Sequence, residues 1–253
     1  MIKFDGKIEK FPNGESKVTI PKHTSDLWVD WLFEGDEEIF QIMLICDAAK
    51  RVGRRVQLIM PFIPYQQQDR VMNKGEAFSL KVFTNLLKTC DIKRICVSVP
   101  HSDVAPALLD GVTEELTITN QIIFDDSVVI VPDAGAYKRL SKLSNKLVVC
   151  NKHRNVLTGE ISGTKIDTEA LEGYIDAGYT DFVVVDDICI RGGTFIPIAN
   201  TVKSHPKWNN KKHHLTLQVT HGIFPDGKEK LLDVFDKIEV DYDFYELKKE
   251  KTQ

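Results

Sequence analysis

Residues Val183 to Phe195 read VVVDDICIRGGTF. An apolar run meets two adjacent carboxylates, and an arginine, two glycines and a threonine follow shortly after. A Val-rich run of this length, closed by a Gly-containing turn, predicts a buried strand. The Gly-Gly-Thr turn opens on FIPIANTV and predicts a helix from Gly193. The stretch is therefore a strand, a turn and a helix, with polar chemistry gathered at the strand's carboxyl end.

The same unit recurs on both sides. SKVTI, DLWVDWLF, RRVQLIM and KRICVSVP predict strands in the first half, separated by the helical patterns EEIFQIMLICDAAKR and FSLKVFTNLLKTC. In the first helix Ile39, Ile42, Met43, Ile45 and Cys46 form one stripe. The second half repeats the rhythm with SVVIVP, a helix from about Ala136, KLVVC, DFVVVDD and HLTLQVTH. Strands alternating with helices predict right-handed βαβ units and a mostly parallel α/β sheet. Near-continuous apolar strands predict sheets covered on both faces. A boundary is expected within NQIIFDD, residues 120–126, giving domains 1–121 and 122–253. The polar stretches Gln66 to Glu76 and Lys152 to Thr168 read as loops able to close over a ligand.

With 253 residues, 42% of them hydrophobic, the chain can bury a substantial core. Its formal charge of -4 offers no bulk attraction to nucleic acid or to an anionic membrane, so neither is an expected partner. The five cysteines include no C-x-x-C pair and mostly lie in apolar runs, which predicts reduced thiols and a cytoplasmic setting. The N-terminal MIKFDGKIEKF lacks the apolar core of a signal peptide, and a soluble protein is expected.

Open parallel sheets bind ligands beyond the carboxyl ends of their strands, so the polar residues after each apolar run are the candidates. On an extended strand Asp186 and Asp187 point to opposite faces and should do different jobs. Arg191, Gly192, Gly193 and Thr194 then form a turn into a helix, where backbone N–H groups and the helix dipole favour a phosphate; the plain alternative is a capped helix start. Asp133 follows SVVIVP, where an isolated Asp is by default a helix N-cap. His101 follows KRICVSVP; a shared divalent ion with Asp133 is one possibility, and a structural hydrogen bond is the commoner use of a lone histidine. Lys152, His153 and Arg154 after KLVVC supply cations suited to charge developing on a transferring phosphoryl group, or simply to a solvated loop. Gly222, after Thr220 and His221, offers close backbone approach. Neither a P-loop nor a G-x-G-x-x-G turn nor a G-x-S-x-G elbow is present.

In this order, these segments resemble the ribose-phosphate pyrophosphokinases, a branch of the type I phosphoribosyltransferase fold. FPNGESKVTI is similar to the family's N-terminal F-x-[ND]-x-E segment, and PFIPYQQQDRVMNKGEAFSLKVFTNLL to its ATP loop and following helix. VPDAGAYKR resembles S-P-D-A-G-G-x-K-R, NKHR resembles the H-K-x-R catalytic loop, and VVVDDICIRGGT resembles the ribose-phosphate loop. THGIF is identical to the family's segment. The resemblance implies two tandem phosphoribosyltransferase-like domains, an ATP side and a ribose-phosphate side. It implies a reaction in which the 1-hydroxyl of ribose 5-phosphate attacks the β-phosphorus of ATP, with Mg2+, and AMP leaves.

By the same resemblance Phe11, Asn13 and Glu15 contact adenine across a subunit interface, and Gln68 and Asp69 contact the nucleotide. His101 lies by ATP and, with Asp133, meets magnesium. Lys152 and Arg154 stabilise the transition state, Asp186 and Asp187 hold the ribose hydroxyls, and Arg191, Gly192, Gly193 and Thr194 cradle the 5-phosphate. An adenine site shared between subunits implies a homo-oligomer, at least a dimer.

The chain departs from the family at Gln67, where an arginine is usual, at Val99-Pro100, and at Ile190-Arg191, where D-T is usual. The last exchange adds a guanidinium beside the 5-phosphate and raises ADP-ribose as an alternative acceptor. A phosphoribosyltransferase and a non-catalytic synthetase-associated subunit are the competing classes. FPNGE and QQQDR argue against the first, and the presence of His101, Lys152 and Arg154 against the second.

Overall fold

The computed structural model describes residues 1–110, 113–115, 126–141, 144–154 and 161–249. The chain divides into two compact units, Met1–Ile118 and Thr119–Gln253. The expected boundary at 120–126 falls outside the described residues except for Asp126.

The first unit holds a five-stranded sheet ordered β1-β4-β5-β6-β7. Its strands are β1 (Ile2–Phe4), β4 (Leu27–Trp31), β5 (Val56–Ile59), β6 (Ile92–Val97) and β7 (Thr113–Glu115). β1 is antiparallel to β4 and the other pairs are parallel. Between β1 and β4 the chain makes a separate hairpin of β2 (Lys7–Lys10) and β3 (Ser16–Thr19).

From β4 to β7 each strand is added on the same side of the last. Right-handed crossovers then put all the connecting helices on one face. These helices are α1 (Glu37–Arg51), α2 (Ser79–Lys88) and α3 (Val104–Leu108). The register Val29–Leu58–Ile95 faces them, buried with Ile42, Ile45, Leu80, Phe83 and Ala105 in one core. α1 keeps the limits expected of it. Of its apolar stripe Ile39, Ile42, Ile45 and Cys46 are buried and Met43 is partly exposed, and Glu37 and Glu38 at its start and Lys50 and Arg51 at its end complement the helix dipole.

The other row, Trp28–Gln57–Arg94, lies on the opposite face. Trp28 is 47% exposed, Arg94 sits 5.4 Å from its ring centroid, and the Arg94 guanidinium donates to Gln57 Oε1. The expectation of a sheet covered on both faces is therefore corrected here. A strand order that never reverses leaves this face without a helix among the described residues.

The second unit is wound in both directions. Its sheet is ordered β10-β9-β8-β11-β12-β13, with β10 (Ile161–Ile166) antiparallel to β9 (Leu147–Arg154) at one edge. β8 (Val128–Val131), β11 (Asp181–Cys189), β12 (His214–Gly222) and β13 (Lys237–Asp243) run parallel. From β8 the chain adds β9 on one side, then crosses to add β11, β12 and β13 on the other. Both faces are covered as a result. Val129, Val131, Val183 and Val185 pack with Ala136 and Leu140 of α4 (Ala134–Leu140). Ile130, Phe182, Val184 and Leu217 pack with α5 (Thr168–Asp176) and α6 (Phe195–Lys203). Two short helices, α7 (Glu229–Leu232) and α8 (Phe244–Lys249), flank β13.

Three local expectations are also corrected. β11 does not stop at the acids but runs on to Cys189, because β12 continues beside it as far as Gly222. The span read as a loop after Lys152 carries strand at 152–154 and 161–166, in the pairing of β9 with β10, and reaches the start of α5 at Thr168. The helix after the Gly-Gly-Thr turn begins at Phe195 rather than Gly193. Among the described residues no helix is long and apolar enough to cross a membrane.

Candidate active site

In the second unit the winding direction reverses between β8 and β11, and open parallel sheets bind ligands beyond the carboxyl ends of the strands at such a reversal. Ile130 lies opposite Val184, so β8 ends while β11 carries Asp186 and Asp187 onward. Asp133 begins the segment after β8. Its backbone is extended, and Oδ1 accepts from the N–H groups of Gly135 and Ala136, which caps α4. The ordinary N-cap role is thus occupied.

The two acids of β11 differ in exposure, as the alternation of a strand requires. Asp187 is 2% exposed, whereas Asp186 is partly exposed and its Oδ1 accepts from the Asp187 N–H at 2.9 Å. A few residues on, burial pushes the Cys189 thiol up to about 12, with help from the Asp186 charge and against a hydrogen bond from the Gly192 N–H. That thiol is inert and serves as packing.

The turn itself depends on Gly192. Its φ is +78°, and a Cβ there would come within 2.6 Å of Leu231 Cδ2. The N–H groups of Phe195 and Ile196 fold back onto its carbonyl at 3.0 and 2.9 Å. Gly193 has open space around it, and the Thr194 side chain makes no capping hydrogen bond at the start of α6. Arg191 Nε donates to Asp226 Oδ2 at 2.8 Å, with both side chains about two-thirds exposed. A pair so open to water is weak, and its guanidinium can exchange one anion for another.

At the end of β12, His221 is buried and stacks on Tyr242 at 5.6 Å. Gly222 admits a close approach from within the chain: a Cβ there would meet the Phe224 ring at 2.1 Å, and Phe224 itself has φ +42°. Lys152 and Arg154 occupy β9, opposite Thr164 and Ile161. Their side chains lie outside the described residues.

In the first unit the candidate residues fall into two groups. Phe11, Asn13 and Glu15 form the tip of the β2–β3 hairpin, closed by hydrogen bonds from Phe11 N–H to the Glu15 carbonyl and from Gly14 N–H to the Phe11 carbonyl. Asn13 Oδ1 accepts from the Glu15 N–H, and the Phe11 ring is 51% exposed.

The second group is the loop after β5. Asp69 is buried there, accepting from Arg70 Nε at 2.7 Å, Arg70 Nη2 at 3.1 Å and Ser102 Oγ at 2.7 Å. Those bonds, led by the one from Arg70 and aided by the charge of His101, hold its carboxyl below the usual aspartate range against the effect of burial. Gln68 is exposed, with its Oε1 accepting from Ser79 Oγ at the start of α2.

Gln66, not singled out from the sequence, bridges to the histidine segment: its Oε1 accepts from the His101 N–H at 3.0 Å. It is 1% exposed, and among the described residues its Nε2 has no partner. The run of three glutamines hid it, because only one of them points inward. Val99, two residues before His101, has φ +38°, a strained conformation for a β-branched residue. Asp226, the partner of Arg191, was missed for a different reason: it lies far along the chain, and nothing but its charge marks it.

His101 belongs to the first unit and Asp133 to the second. Among the described residues no three His, Cys, Asp or Glu side chains gather as a metal-holding group. One or two protein carboxylates are nonetheless ordinary for magnesium, which takes its remaining ligands from substrate phosphates and water.

Residues 3–90 match the family model for the N-terminal domain of ribose phosphate pyrophosphokinase. A ribose-phosphate pyrophosphokinase of Saccharolobus solfataricus is 26% identical over 78% of this chain and 70% of its own length. One from Sulfurisphaera tokodaii is 27% identical over 92% of this chain and 81% of its own. The crystal structure of a phosphoribosylpyrophosphate synthetase from Mycobacterium smegmatis superposes with a TM-score of 0.74 at 22% identity, covering 94% of this chain and 80% of that one. The architecture is thus that of two phosphoribosyltransferase-like domains, and the chain is similar in sequence to ribose-phosphate pyrophosphokinases, which are enzymes.

Proposed function

We propose that the protein transfers the β,γ-diphosphate of ATP to the 1-hydroxyl of ribose 5-phosphate, giving phosphoribosyl pyrophosphate and AMP. The observation that supports this most is the reversal of winding between β8 and β11, where a partly exposed Asp186 precedes the Gly192 turn, in a chain whose residues 3–90 match the kinase family's N-terminal domain.

In this reading Asp186 accepts from a ribose hydroxyl. Asp187, being buried, fixes the strand beneath it. Arg191, Gly192, Gly193 and Thr194 hold the 5-phosphate. Residues 1–121 form the ATP side, where Phe11, Asn13 and Glu15 contact adenine across a subunit interface, and Gln68, Asp69 and His101 line the nucleotide. ATP enters as its magnesium complex, with His101 and Asp133 beside it. An in-line displacement at phosphorus needs positioning and charge compensation more than a protein nucleophile, and Lys152 and Arg154 supply the compensating charge. The protein acts as a homo-oligomer in the cytoplasm.

ADP-ribose is the second acceptor to consider. Among the described residues Arg191 pairs with the exposed Asp226, so a longer anionic 5-substituent can recruit it.

The test is AMP release from ATP and magnesium with either acceptor. Ribose 5-phosphate is expected to support turnover; AMP with ADP-ribose alone reverses the acceptor, and AMP with neither fits the non-catalytic subunit. Lys152→Ala is expected to lower kcat by orders of magnitude with little change in the KM for ATP. An unchanged kcat removes Lys152 from the mechanism.

A further inference from the structure

Gln66 buries a polar side chain and uses half of it. It is 1% exposed, its Oε1 accepts from the His101 N–H at 3.0 Å, and among the described residues its Nε2 has no partner. A backbone N–H can meet only an acceptor, so this contact fixes which way the amide faces. A buried donor without a partner costs stability, so the nitrogen end works against the fold. What the side chain contributes is its oxygen, placed on one backbone N–H.

The two segments that this bond joins both hold unfavourable backbone. Tyr65, directly before Gln66, has φ +63°, and Val99, two residues before His101, has φ +38°. Tyr65 is kept in place by its ring, which packs 6.0 Å from Phe33 and 5.9 Å from Phe83, and by its hydroxyl, which donates to Asp36. Val99 is β-branched and precedes Pro100, which favours extended backbone at the residue before it. Such strain persists only where the surroundings over-determine it. Here the turn is gripped on either side of Val99: the Ser98 N–H donates to the Pro61 carbonyl at 3.0 Å, and the His101 N–H donates to Gln66. Asp69 reaches the same segment at Ser102 Oγ, but that bond fixes a side chain and leaves the backbone at His101 to Gln66.

We infer that Gln66 is a positioning residue: through the His101 N–H it holds the strained Val99–Pro100 turn in the conformation that presents His101 to the nucleotide. The place of His101 beside ATP rests on the function proposed above, whereas the tether to its backbone does not. Gln66 touches no reacting atom in this role. It acts by keeping His101 where the reaction needs it, so its loss should be felt in turnover more than in ATP binding.

The test replaces Gln66 by methionine, which keeps length and removes the acceptor. Amide hydrogen exchange of the native full-length protein, read by NMR, should speed up at His101 while β5 and β6 keep their protection. In the AMP-release assay with ATP, magnesium and ribose 5-phosphate, Gln66→Met should lower kcat by about 100-fold, the scale of a misplaced group, with a much smaller rise in the KM for ATP. Adding Val99→Gly should recover part of the lost kcat, because glycine takes a positive φ without the steric penalty and the turn then needs less holding. A variant that had only lost folded protein would gain nothing from that glycine. Unchanged exchange at His101 in Gln66→Met, protection lost throughout β5 and β6, an unchanged kcat, or a kcat that Val99→Gly does not raise would each overturn the inference. A wild type that releases no AMP with either acceptor overturns the proposed function instead, and exchange at His101, which needs no turnover, tells the two failures apart.

Discussion

Gly192 and Gly193 are neighbours with the same side chain and opposite demands. Gly192 holds a left-handed φ under Leu231, while Gly193 has neither a positive φ nor a close neighbour. Gly192→Ala combines a backbone penalty of about 1–2 kcal/mol with a steric one, because Leu231 is itself buried and must shift. Gly193→Ala should be near neutral. Chemical denaturation of the two variants checks this, and equal midpoints would mean the turn is not held as described. From the sequence the pair was legible as a turn, since adjacent glycines before a threonine have few other uses. Which glycine bears the strain was not legible, because that depends on Leu231 arriving from another part of the chain. The same limit applies to Asp186 and Asp187: strand alternation gave them opposite faces, but which face is buried depends on the helices that cover it.

At the scale of elements, local pattern served best where an element makes its own case. α1 has a continuous apolar stripe with acids at its start and bases at its end, and the fold keeps the limits the sequence implied. β10 reads as loop because ISGTKI is short and Gly-containing; it is a strand only through its pairing with β9. β1 and β13 are edge strands of the same kind, defined by a neighbour rather than by their own composition.

The loop after β5 was legible as a loop, but its anchor was not. Asp69 fastens it to Ser102, and the resemblance alone had made Asp69 a nucleotide contact. Asp69→Asn removes the charge that Arg70 and Ser102 were arranged around and should cost about 1–3 kcal/mol. The Asp69 carboxyl is held below its ordinary value in the folded state. Its contribution is therefore fully present above the unfolded aspartate pKa of about 3.9, and is lost as pH falls through the lower folded value. Denaturation of wild type and Asp69→Asn should give a constant difference from neutral pH down to about 5, shrinking below about 4. A difference that grew on acidification would contradict the assignment.

At the scale of the whole molecule, the strand orders explain why two units of similar rhythm present different surfaces. The first adds its parallel strands in one direction and leaves Trp28, Gln57 and Arg94 on a face without helices among the described residues; the second reverses at β8 and is covered on both sides. Alternation of strands and helices was readable in the sequence, but strand order was not, because right-handed connections allow either direction of winding. The units also have separate cores: Leu58 lies in the middle of the first, and Phe182 lies in the second, where its ring meets Trp208 at 5.2 Å. Each is fully buried, so Leu58→Ala should cost about 2–5 kcal/mol and Phe182→Ala about 3–5 kcal/mol. If residues 1–121 and 122–253 act as domains, each loss stays within its own unit. Hydrogen exchange of the native protein should then show Leu58→Ala lowering protection in β4, β5 and β6 while β8, β11 and β12 keep theirs, with Phe182→Ala giving the reverse. Protection lost equally in both sheets from either substitution would mean that the chain unfolds as one cooperative body and that the division has no energetic meaning.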